Sequence, residues 1–532
     1  MLAKTITIIV YLGVVFYLGY KGWKETEKAP DYMLAGRVMN PMVMAFSYGA
    51  TFISTSAIIG FGGAAGMFGF SLLWLTFANI FVGVFLAMIF FGKRTRRMGV
   101  ALNSLTFPEL LGRRYESRFI QGFAGVVIFV FIPFYSAAVL IGISRMIEVS
   151  LHIPYGLTLV VVTLILAVYV ITGGLKAVMY TDALQGMIMA VMMLIFVLYT
   201  YYLLGGVIPA HQALTDMAGL MPQNLQKGGM QGWTQGAEFG TPIWLTIYTT
   251  IVYGVGIGVL AQPQLAIRFM TVSSDRELNR AILYGGIFIL LMTGVAYIVG
   301  SLSNAVFYQL FDKISIQMAE GNMDKIIPVY IEKVMPSWFS GLFLLAMFAA
   351  AMSTLSSQYH TGGTSLGRDL CEQSLRFSRE GSIVTNRVGV CAAILLTLIW
   401  AWCLPTSIIA RATAFFFGLC AASFLPVYLF ALYWKGITKV GAIVSLCGGF
   451  VVSMFWLLFF HKKEAAALGV CELLFGRATL SANAAKGSWF WLLQWVDPNV
   501  VALPISFALA VLFSLLTKKY DSKHLEHCWR NF

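Results

Sequence analysis

Oxygen-bearing side chains gather in one apolar run of this chain, Gly341 to Gln358, GLFLLAMFAAAMSTLSSQ. On a helix of 3.6 residues per turn, Ala350, Ser353 and Thr354 share a face at i, i+3 and i+4, and Ser353, Ser356 and Ser357 repeat that spacing one turn on. The chemistry such a face offers is coordination of a cation by neutral oxygens. The bland counterpart is a set of hydroxyls that bond back to carbonyls of their own helix. Two glycine-interrupted spans tilt the balance: Ser47 to Gly63, SYGATFISTSAIIGFGG, and Tyr253 to Pro263, YGVGIGVLAQP. A helix broken inside a membrane frees carbonyls that replace part of a sodium ion's water shell, and half-helix ends that attract anions. Carbonyls of Ala50 and Ile53 facing Ala350, Ser353 and Thr354 give an oxygen cage without formal charge, suited to a weakly held, exchangeable sodium ion. A third stretch, Ile171 to Met187, drives Asp182 and Gln185 about one turn into a span, where an ionisable group is costly and tends to be functional. Lys176, in the short loop before it, is the nearest basic candidate to pair with Asp182.

The elements that must hold these residues are membrane helices. Of 532 residues 59% are hydrophobic and 11% charged, and the mean hydropathy is +0.80. A soluble fold of this length is excluded, and one polytopic helical bundle is expected. The net charge of +13 is interrupted by long apolar spans, so it reads as a topology signal and no nucleic-acid partner is expected. The seven cysteines show no paired spacing.

Runs long enough to cross hydrocarbon fall at 5–20, 41–66, 69–92, 119–147, 156–172, 178–205, 241–266, 280–303, 339–367, 385–404, 407–433, 438–460 and 498–517, which makes thirteen. The first has no basic cluster before it and no cleavage site after it, so it reads as an uncleaved span. With the N-terminus outside, the richly basic connections, such as Lys93 to Arg97, and the tail at 518–532 all face the cytoplasm. The chain is then one transport domain in the cell membrane. The broken spans occupy matching positions in two five-helix blocks, 41–205 and 241–433, with two more helices in 438–517. A short amphipathic run, Asp324 to Val334, reads either as a lid over an outer vestibule or as an interfacial helix.

Four motifs in this order resemble the sodium:solute symporter family: GATFIS at Gly49–Ser54, TGGLKAVMYTDALQ at Thr172–Gln185, GxGxxxQPxxxxRFM from Gly256 to Met270, and AAAMSTLSSQ at Ala349–Gln358. The resemblance covers about 5–460. It implies an all-α LeuT-type fold of two inverted five-helix repeats behind an extra first helix, and sodium-coupled import of a small organic solute by alternating access. It also implies a main sodium site on Ala50, Ile53, Ala350, Ser353 and Thr354. Some members use a further set, here Asp182, Ser353, Ser356 and Ser357, for a second sodium. The solute site is implied at Thr51, Ser54, Ser56, Gly256, Gly258, Val259 and Gln262.

The chain departs from sugar-carrying members in its small residues at 257–259, where those tend to place aromatics. It departs from the proline symporters in Phe52, where those carry an Asp. A small carboxylate, monocarboxylate- or pantothenate-like, or an amino acid is therefore expected as solute, with a sugar as the alternative. Enzyme, channel and sensor readings find less support: no two of the six histidines stand at ligand spacing inside a span, and no soluble signalling domain is appended.

Overall fold

The computed structural model describes residues 2–292, 294–377, 381–530 and 532. The protein is 81% helix, with no strand among the described residues. Nine helices among those residues are long and apolar enough to cross a membrane, with shorter apolar helices at Tyr155–Val168 and Val295–Phe311. In chain order, α1 is Leu2–Lys24, α2 is Pro41–Phe52, α3 covers 56–68 and α4 covers 73–101. Helix α5 is Arg118–Leu151, and Tyr155–Leu203 bends at Gly174 into α6 and α7. Then come α8 (Pro242–Ala261), α9 (263–270), α10 (Asp275–Met292), α11 (Val295–Phe311), α12 (Ile326–Val334) and α13 (Ser337–Ser374). Helices α14 (Ile383–Cys403), α15 (Ile409–Tyr433), α16 (Lys439–Phe459) and α17 (Asn499–Leu516) complete the bundle.

Both glycine-interrupted spans are broken helices. Ile53 leaves helical geometry (φ −95°, ψ 97°) between α2 and α3. Gln262 does the same (φ −69°, ψ 115°) between α8 and α9. At the second break the cause is Pro263, which disfavours helical backbone before it and opens a new helix after it. The junction of α6 and α7 is tighter than the loop expected from sequence, because Gly174 takes φ +60° and lets the helices meet at a single residue packed on Tyr32. Residues 280–303 likewise form two helices instead of one, with Gly294 at φ +94° between them.

Helix α13 is the axis of the bundle. It is buried continuously from Ala346 to Thr364 and packs against α2, α5, α7 and α14. Helix α12 is no interfacial helix. Ile326 and Ile327 pack onto Gly66 and Gly62 of α3, so it lies over the second half of the first broken span. Asp324 pins it there by accepting from the Ile408 amide at 3.1 Å. Burial pushes the Asp324 carboxyl up to about 6.

The glycines of the second broken span are packing residues. A Cβ on Gly258 would stand 2.4 Å from the Phe417 carbonyl oxygen of α15, and one on Gly256 would stand 2.7 Å from the Ala78 Cβ of α4. A branched residue at 258 therefore disturbs the packing of α8 on α15, which meet there in close backbone contact. Gly258→Ala is expected to cost about 1–3 kcal/mol by overpacking. Gly13→Ala, where nothing lies within 4 Å of the added atom, is the neutral control. Thermal unfolding in detergent checks this, and equal melting temperatures for the two variants would contradict it.

Candidate functional site

Ending α2 at Ile53 deprives the carbonyls of Ala50 and Thr51 of the amides four residues on that a continuous helix would supply. Hydroxyls from α13 take their place. Ser353 donates to the Ala50 carbonyl at 2.9 Å and stands 3.2 Å from the Ala350 carbonyl, while Thr354 donates to the Thr51 carbonyl at 3.2 Å. All of these residues are buried. Ala50, Ala350, Ser353 and Thr354 thus meet at the first break, and Ile53 is the residue at which the helix ends. Each hydroxyl now donating to a carbonyl can turn a lone pair toward a cation instead, which is the donor set that sodium needs.

The second expected set does not close around Asp182. Ser356 and Ser357 donate back to the Ser353 carbonyl of their own helix, at 3.2 and 2.8 Å. Asp182 has another partner, Arg268 of α9, whose guanidinium lies 3.0 Å from Oδ2 with both side chains fully buried. The same guanidinium donates to Thr51 at 2.6 Å, to Ser47 at 3.0 Å and to Ser357. Ser47 also donates to Asp182 Oδ2, at 2.7 Å. Lys176, expected to be the nearest basic candidate, is helical and pairs with Glu25 beyond α1 at 3.6 Å. Arg268, just past the expected span 241–266, is carried into the bundle because 263–270 form a half-helix. One face of the network is still open, since Asp182 Oδ1 and Gln185 Oε1 are buried acceptors without a partner. Gln185 reaches the Tyr11 hydroxyl of α1 at 2.9 Å, which ties the extra first helix to this network.

Between the broken helices and α15 lies a cavity of about 30 Å³. Of the residues expected to hold solute, Ser54 and Ser56 line it. Their hydroxyls are 2.6 Å apart. Thr51 faces the Asp182–Arg268 pair, Gly256 and Gly258 pack on α4 and α15, Val259 lies against Gly83, and Gln262 accepts from Gln264 at 2.8 Å. These five do not line the cavity. Phe52, singled out in the sequence, lines it too, and sequence reasoning missed Asn79, Tyr135, Tyr297, Thr413 and Phe417, which also do. The aromatic surfaces absent from 257–259 are therefore supplied by other helices. Among these, Asn79 carried a signal, as a lone amide inside an apolar span. A cavity this size holds one or two waters, so its walls must part to admit a solute.

The buried pair makes a direct prediction. Removing one partner leaves an uncompensated buried charge, so Arg268→Gln or Asp182→Asn alone is expected to cost about 3–5 kcal/mol. The double variant is expected to lose clearly less than the sum, measured as a thermal-unfolding cycle. Additive losses would mean that the two groups act independently.

Residues 32–449 match the sodium:solute symporter family. The chain is 28% identical over 450 residues to the high-affinity proline transporter of Bacillus subtilis, covering 82% of this chain and 89% of that transporter. It is 27% identical over 470 residues to a sodium/proline symporter of Staphylococcus aureus, covering 85% of each. In fold it resembles a substrate-bound, outward-open sodium-coupled sialic acid symporter, with a TM-score of 0.72 at 18% identity, across 97% of this chain and 98% of that one. The architecture is the LeuT-type fold of that symporter. On the match across most of its length, the chain belongs to the sodium:solute symporter family.

Proposed function

We propose that this protein couples the inward movement of one sodium ion to that of one small organic solute, a carboxylate or amino acid with an apolar body. The observation that carries the reading is the contact of Ser353 and Thr354 with the Ala50 and Thr51 carbonyls exposed by the first break. It supplies neutral oxygens from two helices that can part, as an exchangeable site requires. The two blocks 41–205 and 241–433 are the natural halves of an alternating-access cycle, with the N-terminus outside and the tail in the cytoplasm.

Arg268 is the reason for assigning a single ion. A second sodium at Asp182 would serve to neutralise its carboxylate, and Arg268 already does so from inside the protein. A further cation at the open Asp182 oxygen, ~5 Å from the guanidinium, would meet a repulsion of roughly 3 kcal/mol at an effective dielectric of about 20. That offsets a large part of what the carboxylate offers, so the open acceptors Asp182 Oδ1 and Gln185 Oε1 are better served by water.

The solute class follows from the cavity. Its lining contains no charged side chain, so a solute carboxylate is best received at the start of α3, beside Ser54 and Ser56, where the half-helix end is positive. Phe52, Tyr297 and Phe417 offer apolar surface to the rest of the solute. The proline symporters among its relatives carry a molecule of this kind, an amino acid with an apolar ring.

Uptake into proteoliposomes tests the reading. Accumulation of the solute is expected to require an inward sodium gradient, and Ser353→Ala is expected to raise the sodium concentration for half-activation roughly tenfold with a smaller effect on maximum rate. Accumulation without sodium, or a Ser353→Ala variant with unchanged sodium activation, would overturn it.

A further inference from the structure

An open groove of about 440 Å³ faces the surroundings between α4, α8, α15 and α17. Its floor is Ile257 and Leu260, the residues on either side of the Gly258 contact with α15. One wall is a stripe of α15 at four-residue spacing, Leu425, Leu429 and Tyr433, and the facing wall includes Phe90 of α4. The Tyr433 hydroxyl donates to the Phe90 carbonyl at 2.6 Å, so it leaves no polar group in an apolar channel.

The channel ends at a cation. Arg94 follows Phe90 by four residues on α4, and its guanidinium stands over the Tyr433 ring at 4.1 Å with one donor on the Leu432 carbonyl at 3.0 Å. Among the described residues no carboxylate pairs with Arg94. The Phe532 ring covers its other side at 5.2 Å. Lys93 precedes Arg94 in the chain, and the exposed Lys435 follows Tyr433 by two residues. An apolar channel closed by a basic end has the two-part chemistry of a phospholipid with an anionic headgroup.

We propose that this groove binds one anionic phospholipid, with an acyl chain against Ile257 and Leu260 and the phosphate at Arg94. The chain backs the break between α8 and α9 from the lipid side, where Gly258 presses on Phe417, itself a wall of the solute cavity. Lipid composition thereby reaches the broken helix without entering the solute site.

Native mass spectrometry of the delipidated full chain tests this, using phosphatidylglycerol and phosphatidylcholine of identical acyl chains as probes. A one-to-one adduct that favours phosphatidylglycerol is expected. Arg94→Gln is expected to lower that preference about fivefold, the contribution of one basic group near a lipid surface. Leu429→Trp, which fills the groove, is expected to reduce adducts of both lipids, with its melting temperature measured alongside to confirm that it is folded. Unchanged preference in folded Arg94→Gln, or undiminished adducts in folded Leu429→Trp, overturns the proposal. So does displacement of phosphatidylglycerol by inorganic phosphate alone, which would mark a simple anion site, or a dimer that replaces the lipid adduct.

Discussion

A fully buried arginine–aspartate pair sets the terms for the packing around the first broken helix. Arg268 and Asp182 come from α9 and α7, and their shared partners Ser47, Thr51 and Ser357 come from α2 and α13. Charges removed from water to this degree persist only when paired and hydrogen-bonded on several sides. The four helices must therefore close together, or the pair must open to water when they part. Packing of these four helices and satisfaction of the pair go together.

Thr51 joins the pair to the candidate sodium site most directly. The Thr51 hydroxyl lies 3.0 Å from Ser357 and 2.6 Å from Arg268, while its carbonyl accepts from Thr354. On the proposed reading, a sodium ion that reorients Ser353 and Thr354 would act on the same short stretch of α2 that the ion pair holds from the other side. Coupling of this kind would need no long pathway, since both sites touch one element.

What was legible in the sequence follows from the range of each signal. The face shared by Ala350, Ser353 and Thr354 is fixed by helical period alone, and the two breaks are announced by their glycines and by Pro263. Asp182 was conspicuous as a charge inside a span. Its partner was not, because Arg268 lies just past an apolar run and reads as one more cytoplasmic cation. Only the refolding of 263–270 into a half-helix turns it inward, and the hint was a lone arginine in the otherwise uncharged QPQLAIRFM. The cavity was harder still. Tyr135, Tyr297, Thr413 and Phe417 come from helices whose inward faces are chosen by tertiary packing, which an all-round apolar span does not reveal. Gly256 and Gly258 misled for the converse reason, since small residues that let helices touch look the same as small residues that make room for a solute.

On the proposed reading, Arg268 supplies the positive charge that a second sodium ion would otherwise bring to Asp182. The most direct measurement is the sodium-to-solute ratio from reversal potentials in proteoliposomes, compared between the unmodified protein and Asp182→Asn. The account predicts one sodium per solute in both, with sodium activation of slope near one. A ratio of two that falls to one in Asp182→Asn would show that Asp182 holds a transported ion, and would contradict it.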